Sequence, residues 1–284
     1  MKQSSLQTIL LTTLAMIAFA SNSLLNRLAL GQDTIDAISY TTVRLVSGAV
    51  MLFILASLQR KANSPVLRGN WSSAAFLFLY AFTFSLAYLN LSTGTGALIL
   101  FGSVQITMII IALWSGERPS PLEWIGLFLA LGGLIYLVFP GLTAPSPLGS
   151  ALMTIAGVAW GFYTLRGRGS QNPIPSTAGN FVFSVPMILI VLLFSLKSIH
   201  ISSSGILYAV ISGAITSGAG YAIWYAALRG LTTTRAATVQ LSVPIIAAWS
   251  GVVVLGENVS IRLFIAGILI LGGIALALSS RGKV

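Results

Sequence analysis

The sequence is dominated by long apolar runs that carry almost no charge. A helix rises 1.5 Å per residue, so about 20 apolar residues cross a hydrocarbon core roughly 30 Å thick. The runs are continuous rather than alternating, which favours helices over the strands of a membrane β-barrel. The sequence therefore predicts an all-α integral membrane protein with ten transmembrane helices. The predicted spans are 6–30, 35–58, 71–91, 94–114, 121–139, 148–165, 176–196, 205–228, 235–255 and 261–279.

The composition excludes a soluble domain. Only 7% of the 284 residues are charged and the mean hydropathy is +0.94, whereas an average soluble domain has about 25% charged residues. The net charge of +10 is spread thinly along the chain. Because no basic cluster is long enough to follow a phosphate backbone, we expect no nucleic-acid partner. The expected partner surface is the lipid bilayer.

Lysine and arginine are distributed asymmetrically between the predicted loops. Arg27, Lys197 and Arg262 fall on one side of the membrane, Arg44 lies inside the second span, and the remaining basic residues share the side of both termini. Cytoplasmic loops carry an excess of Lys and Arg. We therefore expect both termini in the cytoplasm and the chain in a bacterial inner membrane. A cleaved signal peptide is the alternative for the first span, which resembles one up to 18–20 but continues as an apolar run to residue 30.

The two halves of the chain resemble each other at an offset of 140 residues. Gly116–Ser120 (GERPS) aligns with Gly256–Ser260 (GENVS), and Leu131–Leu134 (LGGL) aligns with Leu271–Ile274 (LGGI). Each half contains five predicted spans, so the second half enters the membrane from the opposite face. This pattern predicts an inverted repeat with halves 1–139 and 148–284, a linker at 140–147, and a site near the membrane midplane.

Two local patterns predict how helices begin and pack. Ser120-Pro121-Leu122-Glu123 has the form of a capping box, which predicts the start of the fifth helix. Glycines in the fifth and tenth spans allow close helix approach, either within the chain or at a dimer face, so a monomer and a homodimer both stay open. They are Gly126, Gly132 and Gly133, and Gly267, Gly272 and Gly273.

The repeated segments 91–138 and 231–278 resemble the two EamA repeats of the drug/metabolite transporter superfamily. The Gly-Glu pair followed by a polar turn and a glycine-rich helix carries the resemblance. The resemblance implies a secondary transporter with five plus five inverted helices, usually an exporter of a small-molecule substrate. It also implies a cavity lined mainly by helices 1, 3, 4, 6, 8 and 9. One departure is that the familiar proline occurs at Pro244 but is replaced by Val104 in the first repeat.

Aromatic and amide side chains occur on these cavity helices. Each aromatic residue taken alone favours core packing or an interfacial anchor, but together they favour an amphipathic cavity that stacks flat or apolar groups and cations. The candidate cavity residues are Phe19, Asn22, Asn26, Tyr80, Phe84, Tyr88, Phe101, Gln105, Trp160, Tyr163, Tyr221, Trp224 and Gln240.

Arg44 and Pro244 are the two special positions within the spans. Arg44 is the only charge at membrane depth, where charged groups are costly. It either contacts an anion or carboxylate, or reaches the interface or neighbouring carbonyls as a structural residue. Pro244 lacks an amide and clashes with the carbonyl of Gln240. We expect the ninth helix to bend there and to present Gln240 to substrate.

The missing residue types narrow the function. The chain has no cysteine, one histidine (His200) and five carboxylates, and the carboxylates lie in loops or at helix ends. These residues predict neither a metal site nor a cofactor nor an enzyme, and a proton relay would lack its buried carboxylate. We expect export of amino acids or other small zwitterionic or neutral metabolites by alternating access. Three alternatives are open: a flippase for lipid-linked headgroups, which predicts a lateral apolar groove, a proton-coupled drug exporter, and a non-transporting scaffold.

Overall fold

A computed structural model describes residues 4–59, 66–91, 93–139, 146–255 and 260–279. Regular structure in these ranges is helical, and an isolated antiparallel bridge joins Ile35 to Ile201. The α-helices are α1 (Ser5–Leu30), α2 (Ala37–Leu58), α3 (Trp71–Ala87), α4 (Thr93–Trp114), α5 (Pro121–Val138), α6 (Pro147–Gly167), α7 (Pro173–Phe194), α8 (Ser203–Ile211), α9 (Gly220–Ala227), α10 (Thr233–Gln240), α11 (Ser242–Leu255) and α12 (Ile261–Ser279).

The prediction of an all-α membrane protein is confirmed. Eight helical segments of the described chain are long and apolar enough to cross a membrane, with Ser203–Gly230 counted as one of them. Helix α3 is a shorter apolar helix of 17 residues. The helices follow the predicted spans within a few residues, but two spans are not regular. The eighth contains a π-helix at Ser212–Ala219, and the ninth is divided between α10 and α11.

The predicted capping box starts α5. The Ser120 hydroxyl accepts a hydrogen bond from the Glu123 amide (3.3 Å), and Glu123 Oε2 accepts one from the Ser120 amide (2.8 Å). Two amides that would otherwise lack partners at a helix start are thereby satisfied. The other carboxylate oxygen of Glu123 accepts from Arg235 Nε at 3.0 Å. The same residue therefore ties α5 to the first turn of α10.

Glycines bring α5 and α12 into backbone contact. A Cβ added at Gly126 would lie 2.7 Å from the Ala277 amide, and one at Gly273 would lie 2.8 Å from the Ala130 amide. No atom lies within 4 Å of a Cβ added at Gly132 or Gly272. Gly126 and Gly273 therefore serve packing within the chain, and Gly132 and Gly272 face outward.

The helices run up and down between two ends. One end holds the loops after α2, α4 and α6 and the start of α10. Arg68, Arg118 and Arg168 lie there, so we call it the basic end. At the opposite end, Asp36 caps α2 by accepting from the Ser39 amide (2.9 Å) and also accepts from the His200 amide (2.9 Å). Burial raises the pKa of Asp36, but these hydrogen bonds outweigh it, and the pKa lies below its ordinary value.

Candidate functional site

Aromatic rings from α1, α3, α6 and α9 meet in the interior. Phe19 packs edge-on against Trp160, with ring centroids 5.3 Å apart, and against Tyr221 at 5.5 Å. Trp160 lies 4.8 Å from the ring of Tyr80 and 4.8 Å from that of Tyr221. We call this group, completed by two further rings, the aromatic cluster. Its members are Phe19, Tyr80, Trp160, Tyr163, Tyr221 and Trp224.

Of the predicted amides, Gln240 on α10 contacts this cluster, and Gln105 on α4 contacts the backbone of α10. Gln240 Oε1 accepts a hydrogen bond of 2.6 Å from the Trp160 indole, while its Nε2 donates to the Ala236 carbonyl at 3.0 Å. Gln105 Nε2 donates to the Ala237 carbonyl at 2.7 Å, and its Oε1 is buried without a partner. Residues far apart in the sequence therefore converge on one site.

Arg44 is buried beside the cluster with only neutral partners among the contacts described. Its side chain is 1% exposed, so the interpretation that it reaches the interface is wrong. Nε donates to the Ser217 hydroxyl (2.9 Å) and Nη2 to the Tyr221 hydroxyl (2.7 Å), and the guanidinium lies 5.8 Å from the Tyr80 ring centroid. Nη1 is buried and has no partner.

The π-helix supplies polar groups that sequence reasoning missed. The hydroxyls of Ser212 and Thr216 both donate to Asn22 Oδ1, and Ser217 accepts from Arg44. The available signal was the run of glycine and hydroxyl residues at 212–220 in the middle of an apolar span. π-turns are rare and often mark functional positions. Asn26, one turn beyond Asn22, is buried and its Nδ2 has no partner.

The ninth span is interrupted next to Gln240. Helix α10 ends at Gln240, Leu241 forms a turn, and α11 begins at Ser242. This is the position at which Pro244 removes the backbone bond to residue 240. Helix α4 is continuous through Val104, its counterpart in the first half. A role for Pro244 as a hinge in transport stays a prediction.

The candidate residues form a closed cluster rather than an open cavity. Trp160 is 5% exposed, and its neighbours in the cluster are similarly buried, because bulky rings fill the space between the helices. Phe84 extends the cluster toward Tyr88, whose ring centroid lies 4.9 Å away. Phe101 is half-buried against the apolar core and is not among the ring contacts described for the cluster.

The glutamate of the Gly-Glu pair binds the start of α10. Glu117 Oε1 accepts from the Thr233 amide (3.0 Å), the Thr233 hydroxyl (2.6 Å) and Arg168 Nη1 (2.6 Å), and Oε2 accepts from the Thr234 amide (3.3 Å). Burial raises the pKa of Glu117, but the hydrogen bonds from Thr233 and Arg168 outweigh it and lower the pKa overall. Glu117 therefore caps the half-helix that carries Gln240.

Two cavities open at the basic end. One, of about 1260 Å³, lies between α1, the loop after α6, the turn after α9 and α10–α12. The other, of about 280 Å³, lies at the starts of α3 and α7 and is lined by Arg68, Arg166 and Arg168 and by polar side chains that include Asn180. The inner end of the larger cavity reaches Met16 and Val239, which lie close to Phe19 and Gln240 in the chain.

Comparisons with known proteins agree with this architecture. A crystal structure of a protein superposes with a TM-score of 0.81 over 98% of this chain and 100% of that chain, at 21% identity. An uncharacterized protein of Pseudomonas aeruginosa is 50% identical over 97% of this chain and 96% of its own length. An uncharacterized inner membrane transporter of Escherichia coli is 27% identical over 32% of this chain and 29% of its own. The model of the EamA-like transporter family matches residues 6–139 and again 147–279. The chain therefore belongs to the EamA-like transporter family.

Proposed function

We propose that this transporter exports amino acids or other small metabolites that carry a carboxylate, by alternating access. The observation that carries the proposal is the environment of Arg44. A guanidinium stays charged in proteins, and burying an unpaired charge is costly. Among the described residues, the partners of Arg44 are neutral, and Nη1 has none. A substrate carboxylate at Nη1 would supply the missing negative charge.

Other candidate residues suit the rest of such a substrate. Gln105 Oε1 is a buried acceptor without a partner, which suits a substrate ammonium group. Trp160 and Tyr221 offer ring faces and edges for an apolar or flat side chain. Gln240, which is bound to the Trp160 indole, links these rings to the divided helix. Movement of α10 would therefore change the shape of the substrate site.

The proposed topology has ten membrane crossings, arranged as two inverted halves in the bacterial inner membrane. The basic end and both termini lie in the cytoplasm. The basic end carries the arginines that the orientation rule assigns to the cytoplasm. Position 258 lies outside the described residues. The test is labelling of single cysteines introduced at Arg118 and Asn258 in oriented vesicles. Labelling from opposite compartments supports the inverted halves, and labelling from one compartment contradicts them.

We propose that no buried carboxylate carries a proton across. Within the described ranges, Asp33, Asp36, Glu117 and Glu123 all lie in loops or at helix ends. Glu257 lies outside the described residues. Counterflow should therefore be insensitive to a pH gradient, whereas acceleration by a gradient would favour the proton-coupled drug exporter.

The decisive test is counterflow of radiolabelled amino acids in proteoliposomes. Replacing Arg44→Gln should weaken substrate binding roughly 10- to 150-fold, the effect of losing a charge-assisted hydrogen bond. Arg44→Lys should retain part of the activity because it keeps the charge. Asn22→Ala, Gln105→Ala and Gln240→Ala should each reduce counterflow.

Lys197→Gln serves as the matched control, since this exposed lysine lies far from the cluster at the opposite end. Size-exclusion profiles identify variants that fail to fold. Unchanged counterflow in folded Arg44→Gln and in all three amide variants would refute the site.

One observation favours the flippase as a second candidate. The cavity of about 1260 Å³ opens between helices and has an apolar wall, as the flippase alternative predicts. Protein-dependent movement of a fluorescent phospholipid across the same proteoliposomes, without amino-acid counterflow, would establish this alternative over the first.

A further inference from the structure

The larger cavity is a groove on the side of the protein rather than a central pocket. One wall is the first half of α1, and the other is formed by α11 and α12. Ile9 (57% exposed) and Leu271 (51% exposed) lie at its edges, on helices that are apolar enough to cross the membrane. Its volume exceeds the roughly 300–1,000 Å³ of most small-molecule sites. The groove therefore opens toward the acyl chains of the bilayer.

The lining changes from cationic to apolar along the groove. Arg168, Arg229 and Arg235 line the part near the loops, and no carboxylate side chain is among the lining residues that the structure describes. Met16, Ile246 and Ile274 line the inner part. This arrangement complements a molecule with an anionic head and an apolar tail.

Arg229 provides the accessible charge. Its Nε donates to the neutral carbonyl of Ser170 at 2.8 Å, and the residue is exposed. Arg168, in contrast, contacts Glu117 at 2.6 Å. Basic side chains on the cytoplasmic side of transmembrane helices are typical contacts of anionic lipid headgroups.

Thr12 provides an independent sign of a ligand. Its side chain lines the groove, the residue is only 9% exposed, and its hydroxyl has no hydrogen-bond partner. An unpaired hydroxyl in an apolar environment is unfavourable. Gly230, next to Arg229, packs against Thr8, and Thr12 lies one turn deeper on the same face of α1. The ester carbonyl of a glycerolipid lies at a comparable depth below its phosphate.

The length of the groove matches one leaflet. At 1.5 Å per residue, the α1 segment from Ser5 to Met16 spans about 16 Å. The hydrocarbon core is roughly 30 Å thick, so each leaflet contributes about half of it. An acyl chain lying in the groove would end near Met16, one helical turn from Phe19 of the aromatic cluster.

We propose that this groove binds an anionic phospholipid of the leaflet at the basic end. The phosphate lies at Arg229, the ester region at Thr12, and one acyl chain lies along Ile274 toward Met16. This inference goes beyond metabolite export, because it assigns a lipid site beside the substrate site and can be tested without transport.

The test is the thermal unfolding of the purified chain in detergent, titrated with phosphatidylglycerol or with phosphatidylcholine of identical acyl chains. A ligand that binds only the folded state raises the unfolding temperature with concentration. Phosphatidylglycerol should stabilise at lower concentrations than phosphatidylcholine, and glycerol phosphate, which has no acyl chain, should not stabilise. Arg229→Gln should weaken the apparent affinity for phosphatidylglycerol about fivefold, as expected for one basic side chain at an anionic lipid. Thr12→Val should weaken it as well.

The matched control is Arg262→Gln. Arg262 lies in the first turn of α12 outside the groove, over the Tyr136 ring at 5.6 Å, so its removal should leave lipid affinity unchanged. Equal stabilisation by the two lipids would overturn the proposal, as would an equal loss of affinity in Arg229→Gln and Arg262→Gln. Full stabilisation by glycerol phosphate would overturn it too, because it would indicate a site for free phosphate.

Discussion

Replacing Glu117→Gln should loosen the start of α10 and open the basic end. The wild-type carboxylate accepts from two backbone amides of α10 and from Arg168. The amide side chain keeps one acceptor oxygen, loses the charge and presents an NH₂ group to the remaining donors. The perturbation therefore acts on the half-helix that carries Gln240, at a distance from the aromatic cluster.

The expected size follows from these contacts. Losing a helix cap costs about 1 kcal/mol. The pair with Arg168 adds up to about 1 kcal/mol, discounted because the Arg168 side chain is 34% exposed. A total of about 1–2 kcal/mol would shift the equilibrium between the closed and the open form of the basic end roughly 5- to 30-fold.

Cysteine labelling measures this shift directly, because the chain contains no cysteine of its own. Thr238 is fully buried in α10, so Thr238→Cys should react with a maleimide only when the basic end opens. Adding Glu117→Gln should raise the labelling rate roughly 5- to 30-fold. Arg118→Gln, an exposed change in the same loop, should leave the rate unchanged. Equal rates in folded Glu117→Gln and its parent would refute the assignment of Glu117 as a clamp.

Three further predictions concern packing, capping and the divided helix. Gly126→Ala should lower the free energy of unfolding by about 1–3 kcal/mol, because the new Cβ would meet the backbone of α12. Gly132→Ala, in open space on the same helix, should be neutral or stabilising, and thermal unfolding in detergent compares the two variants. Asp36→Ala should cost about 1 kcal/mol and Asp36→Asn less, since asparagine also caps helices. Because the folded pKa of Asp36 lies below its ordinary value of 3.8, its stabilisation is complete above that pH and is lost as the pH falls through the folded pKa, so the gap between wild type and Asp36→Ala should narrow in acid. Pro244→Ala should reduce counterflow without unfolding the protein, and unchanged transport would show that the interruption at Leu241 is unnecessary.

The positions and starts of the helices could be predicted from the sequence because they depend on local residues. The apolar runs placed nearly all helix boundaries within a few residues. The capping box at Ser120 needed only its own neighbours, so it formed as predicted. The π-helix at Ser212–Ala219 was missed, because its form depends on the partners that its hydroxyls find on α1 and α2.

The sequence predicted which residue types form the candidate site but not how they are arranged. Gln240 was singled out beside Pro244, yet its bond to the Trp160 indole joins residues 80 positions apart. Glu117 was recognised only as part of a repeated Gly-Glu pair, and its contact with the start of α10 became visible in three dimensions. Phe101 shared the pattern of the other aromatics but is only partly buried and is not among the ring contacts described for the cluster.

By itself, the sequence determined that this chain lies in a membrane as helices, because hydrocarbon leaves the backbone no other way to satisfy its hydrogen bonds. Only the tertiary structure decided which glycines of α5 and α12 face the other helix, which atoms of Arg44 have partners, and where a groove opens. These properties depend on the rotation of each helix about its axis. That rotation is set by packing between residues distant in the chain, which the local pattern of apolar residues leaves undetermined.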